Sequence, residues 1–374
     1  MTDRRVIHLI SGLSTGGAER DLARLAPRLR DMGYEQEVLV LGPLGPPADA
    51  LRASGITVRP LADRWGGFTL PAAAATLSTR PALLVHAWLY RACALASLAA
   101  MHPGAAPVVW TILQSLTEIG RERLLHRISL GATFPLSRMA STITYNSHLA
   151  RQQHEARGYP VSNGVVIPNG FDTSRFTPAS DESRNAARKS MNFADSDVVI
   201  GIAARFHPLK DFPTFFAAAS ILAKRCPTVR FVAMGTGLMA TNPDVVRLAA
   251  QVPPDNLVLC GEQRHPEANM AAWDIGTLCS VGEALPNAVG EAMACGLPVV
   301  ATDVGDCARL LGDAGFIVPP ADPAALASAW ERLVTLGRKG RLSLGQKGRA
   351  RIRADYSLAG MAESYAKIYA SLIR

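Results

Sequence analysis

Two glutamates stand eight residues apart in a stretch whose residue types could bind a ligand. The stretch begins at residue 280 and reads SVGEALPNAVGEAMACGLPVVATDVG, with Leu-Pro-Asn between Glu283 and Glu291. Proline and asparagine are favoured where a helix begins, so we expect Glu283 just before a helix and Glu291 about one turn inside it. Carboxylate oxygens accept hydrogen bonds, and their natural partners in a ligand are hydroxyl groups.

The start of the same helix predicts an anion site. Free main-chain amides are expected around Leu285, Pro286, Asn287 and Ala288, and the N-terminus of a helix attracts anions such as phosphate. A phosphate site flanked by two hydroxyl acceptors matches a sugar nucleotide, with one glutamate on the sugar and the other on the ribose. The alternative is that Glu283 only complements the helix dipole and that the second glutamate faces water.

A second group of candidates lies in the segment GIAARFHPLKDF, where Arg205 and Lys210 follow a strand-like run. Two cations in such a loop could neutralise a leaving diphosphate, which a metal ion does in other enzymes. The alternative is a pair of solvated surface cations. We expect no metal site, because the paired aspartates Asp195 and Asp197 precede a strand and are typical of a surface turn.

Two further segments offer weaker candidates. In STGGAER, Gly16 and Gly17 would permit a close backbone approach to a ligand, although an ordinary turn has the same composition. In ALLVHAWLYR, His86 and Arg91 lie near the end of a strand-like run and could contact an acceptor or a phosphate. A hydrogen-bonded structural histidine is the alternative for His86.

Composition limits the class of protein. The chain has 374 residues, 48% of them hydrophobic and 19% charged, which predicts two globular domains. The net charge of +8 suits phosphorylated ligands or an anionic membrane. Aromatic residues make up only 6% of the chain and do not alternate with basic residues as they do in single-strand binders, so we expect no nucleic-acid partner. The six cysteines form no C-x-x-C pair, and we find neither an export signal nor an apolar run of about 18 residues. These features favour a cytoplasmic protein.

Strand-like and helix-like runs alternate along the chain, starting with RVIHLIS at residues 5–11 and the helical ERDLARLAPRLRDMG at 19–33. Such alternation is typical of parallel α/β sheets. The turn-rich segment VVIPNGFDTSRFTP at 165–178 breaks the rhythm and predicts a connection between domains, and a polar stretch at 179–190 follows it. We therefore expect two Rossmann-like, doubly wound parallel-sheet domains that face a central cleft, with ligands at the carboxyl ends of strands.

Together, these segments resemble the retaining glycosyltransferases of family 4, which have the GT-B fold. The resemblance covers nearly the whole chain and rests on GGAER (16–20), YNS (145–147), VIPNGFD (166–172), the Arg205 and Lys210 loop, EALPNAVGEAMACGLPVVATDVG (283–305) and VPPADP (318–323). It implies an N-terminal acceptor domain at 1–168, joined by a C-terminal helix at about 355–374, and a donor domain at 169–354.

The resemblance also implies roles for individual residues. Arg205 and Lys210 would bind the donor diphosphate, Glu283 and residues 285–288 the sugar, and Glu291 the ribose. Gly16 and Gly17 would approach the donor from the other domain. Transfer from a UDP- or GDP-sugar would retain the anomeric configuration without a metal or other cofactor. The acceptor would be a cell-surface polysaccharide or a lipid-linked saccharide.

The segment GRERLLHRISLGATFPLSRMAS at 120–141 mixes arginines with leucine and isoleucine. A basic amphipathic helix here could rest on the cytoplasmic face of an anionic inner membrane, whereas the alternative is a solvated helix packed on the sheet.

Two other functions fit the same architecture. A non-hydrolysing sugar-nucleotide epimerase would alter the sugar without an acceptor. A non-catalytic sugar-nucleotide-binding protein would bind without turnover, although the glutamate pair and the basic loop favour catalysis.

Overall fold

The computed structural model describes residues 4–14, 16–61, 77, 82–117, 130–131 and 133–372. Its contacts divide the chain into two compact units. The first consists of Met1–Gly170 with Leu358–Arg374, and the second of Phe171–Ser357.

The first unit is built on a seven-stranded sheet whose order is β3-β2-β1-β4-β5-β6-β7, with parallel neighbours. In chain order the strands β1 to β7 are Arg5–Ile10, Glu35–Val40, Thr57–Pro60, Leu84–Trp88, Val108–Ile112, Thr142–Tyr145 and Gly164–Val166. The winding direction changes between β1 and β4. The central strands β4 and β5 are buried at every residue, because a parallel sheet is covered on both faces.

The second unit contains a six-stranded parallel sheet with the order β10-β9-β8-β11-β12-β13. Its strands β8 to β13 are Val198–Ala203, Val229–Met234, Leu257–Gly261, Ile275–Leu278, Val299–Thr302 and Gly315–Val318. The winding direction changes between β8 and β11. In doubly wound sheets, ligands bind outside the carboxyl ends of strands at such a switch point, so the segments after β8 and β11 are the first place to look for a site.

Helices cover both sheets. Those described in the N-terminal part are α1 (Gly17–Asp31), α2 (Pro46–Ala53), α3 (Leu89–Ala99) and α4 (His148–Glu155). The second unit has α5 (Asp181–Ser190), α6 (Phe212–Arg225), α7 (Pro243–Ala249), α8 (Pro266–Met270), α9 (Asn287–Ala294), α10 (Cys307–Leu311), α11 (Pro323–Thr335) and α12 (Gly337–Asp355). Helix α1 buries Leu22, Leu25 and Leu29, whose spacing places them on one face. Among the described residues, no helix combines the length and the apolar character needed to cross a bilayer.

The last helix, α13 (Leu358–Leu372), belongs to the first unit and not to the unit that precedes it in sequence. Its Tyr365 and Tyr369 are buried there, and the Tyr369 hydroxyl lies 2.7 Å from Nδ1 of His86. The Tyr365 hydroxyl lies 3.2 Å from Oγ1 of Thr111 on β5. Through these contacts helix α13 packs against the central strands β4 and β5 of the first sheet.

Two apolar clusters cover opposite faces of the second sheet, as the alternation of residues along β8 requires. Val199 belongs to one cluster, whereas Ile200 and Ile202 belong to the other. In the second cluster, the ring of Phe215 meets that of Trp330 edge to face with 5.7 Å between centroids. The sheet is therefore held from both sides, which fixes the ends of its strands.

The two parallel sheets confirm the predicted pair of α/β domains, but one local interpretation was wrong. Residues 164–166, taken partly as connection, form the edge strand β7 of the first sheet. Most of the polar stretch at 179–190, to which no element was assigned from the sequence, forms helix α5, whose N-cap Ser180 accepts a hydrogen bond from the amide of Ser183. A three-residue strand and a solvated helix both lack the apolar run on which the prediction relied.

Candidate functional site

The segment after β8 carries Lys210 in a short 3-10 turn, Pro208–Lys210. Nδ1 of His207 accepts a hydrogen bond of 3.3 Å from the amide of Leu209 and so starts the turn. Asp211 ends it in the left-handed region, with φ of 46°, and then caps α6 by accepting bonds from the amide and hydroxyl of Thr214. Lys210 is therefore held between two capped elements at the switch point of the sheet.

The segment after β11 carries Glu283. Cys279 and Ser280 follow the strand and are fully buried, and residues 281–286 then lead into helix α9. The backbone turns there because Pro286 occupies the position before the helix with an extended conformation, φ −80° and ψ 113°. Pro286 is the N-cap and Asn287 the first helical residue, so the helix begins within the predicted Pro-Asn pair.

Main-chain contacts join these two segments. The amide of Val281 donates a 2.9 Å hydrogen bond to the carbonyl of Leu209. The Cys279 thiol lies 3.1 Å from the carbonyl oxygen of Lys210 and 3.4 Å from that of Asp211. Burial raises the pKa of this thiol well above its usual range, so it stays protonated and can donate. Because β8 and β11 are parallel neighbours, their carboxyl ends bring both segments to one place.

Lys210 and Glu283 form an ion pair at this place. Nζ of Lys210 contacts Oε1 of Glu283, and the side chains are 23% and 12% exposed. The hydroxyl of Ser280 donates a 2.7 Å hydrogen bond to the same oxygen. The structure thus brings the two predicted residues together. Glu283 does more than complement the helix dipole, and Lys210 is not a solvated surface cation.

Further contacts hold the Glu283 segment from the side of β12. The hydroxyl of Thr302 donates a 2.6 Å hydrogen bond to the carbonyl of Ser280, and the amide of Asp306 donates one of 2.9 Å to the carbonyl of Ala284. Gly305 has φ of +58°, and a Cβ atom there would lie 2.4 Å from the oxygen of Ala284. Only glycine permits this close approach.

The start of α9 fits the predicted anion site. Among the described residues, the main-chain amides of Leu285 and Ala288 donate no hydrogen bond, and no side chain caps the helix. Glu291, on the second turn, is only 5% exposed. The alternative in which Glu291 faces water was therefore wrong.

Arg205 lies two residues after the end of β8 and is exposed. Within the described part of the chain its guanidinium pairs with no carboxylate. It is consequently available to an anionic ligand, in contrast to Lys210, which already holds Glu283.

In the first unit, Gly16 precedes helix α1 with φ of −73°, a value open to any residue. A Cβ atom at this position would meet only the carboxylate of Glu19, the flexible end of a side chain. The structure thus gives no backbone reason for glycine at residue 16, and the role of Gly16 and Gly17 stays a prediction.

His86 lies in the interior of the first sheet and has no exposed surface. Its Nδ1 lies 2.7 Å from the Tyr369 hydroxyl, and its Nε2 lies 2.6 Å from Oγ1 of Thr111. With both nitrogens engaged and burial holding its pKa well below the usual value, His86 is a structural histidine. The interpretation as an acceptor or phosphate contact was wrong for this residue, whereas Arg91 lies exposed in the first turn of α3.

Sequence reasoning missed the residues that support the ion pair: Ser280, Cys279, Thr302 and Gly305. Serine three residues before a glutamate was a usable signal, because a hydroxyl at that spacing in a turn can reach the carboxylate. Cys279 and Thr302 carry no local signal, since their partners lie in the segments that follow neighbouring strands, far away in sequence. Residues 120–129 and 132 of the basic segment at 120–141 lie outside the described residues. Over the described ranges, no cluster of three metal-ligating side chains occurs.

Comparison with known proteins associates each half of the chain with a family. The family model described as Glycosyltransferase Family 4 matches residues 15–175. The family model described as Glycosyl transferases group 1 matches residues 197–335, which include the Lys210 and Glu283 segments.

Two curated relatives have names that state their activities. The chain is 30% identical over 219 residues to the D-inositol 3-phosphate glycosyltransferase of Geodermatophilus obscurus, covering 54% of this chain and 46% of that protein. It therefore spans about half the length of that relative. It is 27% identical over 310 residues to the GDP-mannose-dependent monoacylated alpha-(1-6)-phosphatidylinositol monomannoside mannosyltransferase of Corynebacterium glutamicum, covering 70% of this chain and 80% of the relative.

Solved structures share the fold. Anabaena HepE in complex with UDP superposes with a TM-score of 0.84 at 21% identity, covering 98% of this chain and 100% of HepE. WaaG, a glycosyltransferase involved in lipopolysaccharide biosynthesis, superposes with a TM-score of 0.76 at 16% identity, covering 97% of this chain and 99% of WaaG. The N-terminal half of the chain therefore matches the Glycosyltransferase Family 4 model, the C-terminal half matches the Glycosyl transferases group 1 model, and the solved structures share the GT-B fold.

Proposed function

We propose that the chain transfers a sugar from a UDP- or GDP-sugar to a saccharide or lipid-linked saccharide acceptor, with retention of configuration and without a metal. The observation that carries the proposal is the meeting of Lys210 and Glu283 at the switch point of the second sheet. That is where an α/β sheet of this kind binds its ligand.

The charges suit the departure of a nucleoside diphosphate. Negative charge grows on the diphosphate as the bond to the sugar breaks, and fixed cations and amides that face this charge lower the barrier. Arg205, Lys210 and the amides of Leu285 and Ala288 supply such groups. Removing one such donor typically costs about 100-fold or more in kcat.

Glu283 is assigned as a sugar ligand and not as a covalent nucleophile. Its Oε1 accepts a hydrogen bond from Ser280, which lowers its nucleophilicity, whereas a hydrogen bond from a sugar hydroxyl needs only a lone pair. The buried Glu291 suits a single defined hydroxyl such as those of the ribose. Attack on the same face as the departing phosphate then gives retention.

The relatives narrow the donors and acceptors worth testing. HepE has been solved with UDP and with UDP-glucose, whereas the corynebacterial relative is named GDP-mannose-dependent and acts on a phosphatidylinositol monomannoside. Both bases are therefore candidates here, and a lipid-linked saccharide is the first acceptor class to try.

The cysteines favour the cytoplasm as the compartment. All six lie within the described residues and none is in a disulfide, which suits a reducing environment. Contact of the segment at 120–141 with an anionic membrane remains part of the proposal. Vesicle flotation tests it, since equal recovery with neutral and anionic lipids would count against docking.

A ligand panel tests the donor. UDP-, GDP- and ADP-sugars are added to the full chain with a chelator present, and the melting temperature is recorded. A ligand that binds the folded state raises this temperature, so one class should give a clear shift without metal. No shift with any sugar nucleotide, or a shift that requires a divalent cation, would contradict the proposal.

Product analysis then tests the reaction. The donor that gives the largest shift is incubated with saccharide and glycolipid acceptors, and the anomeric configuration of the product is read by NMR. An inverted product would refute retention. A changed sugar nucleotide formed without acceptor would indicate an epimerase, and binding without turnover on any acceptor would indicate a non-catalytic protein.

A further inference from the structure

One oxygen of Glu283 serves two donors. Oε1 accepts from the ammonium of Lys210, 73 residues away in sequence, and from the hydroxyl of Ser280. Among the described residues, the Lys210 ammonium has no other partner. The cation proposed to hold a diphosphate is thus occupied by a carboxylate of its own chain.

A carboxylate and a diphosphate are both anions, and close approach of like charges in a partly buried site is unfavourable. We infer that Glu283 competes with the donor diphosphate for Lys210, so that diphosphate binding exchanges the ion-pair partner of Lys210 and frees Glu283 for sugar hydroxyls. The inference rests on the proposed function, because it concerns the same site.

The surroundings of the pair allow this exchange without rebuilding the site. The Lys210 backbone is held by the Cys279 thiol through its own carbonyl, and the neighbouring Leu209 carbonyl accepts from Val281. Glu283 keeps its bond to Ser280 when Lys210 leaves. Only the lysine side chain needs to turn, whereas both main-chain segments stay in place.

The exchange predicts a difference in affinity between a bare nucleoside diphosphate and a sugar nucleotide, and this difference would not arise if Glu283 were only a sugar ligand. A nucleoside diphosphate without sugar must break the ion pair, but it brings no hydroxyl for the released carboxylate. An intact sugar nucleotide brings those hydroxyls and recovers the lost interaction. Glu283 should therefore weaken the binding of the bare diphosphate while supporting that of the donor.

Isothermal titration with UDP and GDP tests this consequence on the full chain. For the diphosphate that binds the wild type, Glu283→Gln should bind about two- to fivefold more tightly, which corresponds to the strength of a partly exposed ion pair. The same variant should bind the matching sugar nucleotide no more tightly than the wild type does. Melting curves without ligand establish that the variant is folded.

Two further variants separate exchange from simple charge effects. Glu331→Gln removes the same charge from a surface pair with Arg225 in the same unit and should leave the affinity unchanged. In a Lys210→Ala background, Glu283→Gln should lose most of its effect, because there is no ion pair left to break.

The outcomes distinguish the inference from the function it rests on. Equal or weaker diphosphate binding by Glu283→Gln, or an equal gain with and without Lys210, would overturn the exchange while leaving the donor site intact. Failure of every nucleoside diphosphate and sugar nucleotide to bind the wild type would instead overturn the proposed function.

Discussion

The side-chain hydroxyl of Ser280 donates a 2.7 Å hydrogen bond to Oε1 of Glu283, three residues further along the chain. Ser280 is fully buried, and its carbonyl accepts from the hydroxyl of Thr302 on the neighbouring strand β12. Through these two bonds the carboxylate is fixed to the end of the sheet.

Ser280→Ala should lower kcat about tenfold with a smaller effect on the donor KM. A hydrogen bond to a charged group contributes roughly 1.5–3 kcal/mol, and each 1.4 kcal/mol of barrier is about tenfold in rate. Steady-state kinetics with saturating acceptor provide the measurement. The exposed Ser343 offers the control, since Ser343→Ala should change neither constant. An unchanged kcat in Ser280→Ala would show that Glu283 needs no such support.

Gly305→Ala should reduce transfer by more than Gly337→Ala does. Both glycines have positive φ, +58° and +67°, so both substitutions carry a similar backbone strain of about 1–2 kcal/mol. A Cβ atom at residue 337 meets nothing within 4 Å, whereas at residue 305 it would lie 2.4 Å from the oxygen of Ala284 and 2.7 Å from that of Glu283. The two variants therefore share the strain but not the displacement of the Glu283 segment.

Turnover and melting temperature of these two variants are compared side by side. We expect a somewhat larger loss of stability for Gly305→Ala, because of the added backbone contact, and a loss of activity at least about tenfold larger than for Gly337→Ala. Equal activities would mean that the segment tolerates displacement.

Cys279→Val should weaken nucleoside diphosphate binding, whereas Cys279→Ser should preserve most of it. The thiol donates toward the carbonyls of Lys210 and Asp211, and serine keeps a donor at that position while valine removes it. Titration with UDP or GDP gives the affinities, and Cys226→Val serves as the control because Cys226 lies outside these contacts. Equal binding by the valine and serine variants would exclude a positioning role for the thiol.

The stability of the first unit should fall as the pH decreases from about 6.5 toward 4. Burial lowers the pKa of His8 from 6.5 to about 4. Trp88 donates a 3.1 Å hydrogen bond to Nδ1 of His8, Nε2 lies 2.6 Å from Oε1 of Gln36, and the ring of His86 is 5.1 Å away. Nδ1 must therefore stay unprotonated in the folded state. The unfolded chain binds the proton at a higher pH, so acid favours unfolding by on the order of 1 kcal/mol per pH unit.

Urea midpoints measured by tryptophan fluorescence between pH 7.5 and 5 test this expectation. His8→Gln should flatten the dependence of the midpoint on pH, even if the variant is less stable at every pH. The exposed His102 gives the comparison, and His102→Gln should keep the wild-type slope. A slope that is the same in all three proteins would show that His8 does not contribute to it.

Elements with a strong apolar pattern could be predicted from the sequence, and those without one could not. Runs such as RVIHLI and VVIGIA correspond to β1 and β8, because strands buried on both faces are apolar along their whole length. The three-residue strand β7 and the polar helix α5 depend on neighbours that a local pattern does not reveal.

The sequence by itself determined the chemical groups of the candidate site. Local turn and capping preferences, which act over a few residues, place Glu283 and Glu291 near the start of a helix. The same preferences place Arg205 and Lys210 after a strand. Local rules of this kind need no knowledge of the remaining chain.

Only the tertiary structure decided which of these groups meet. Lys210 and Glu283 are 73 residues apart, and they pair because β8 and β11 are neighbours in the sheet. The same packing placed His86 in the interior, where Thr111 and Tyr369 occupy both of its nitrogens. Strand order and burial result from the packing of the whole unit, so a residue's neighbours in space cannot be read from its neighbours in sequence.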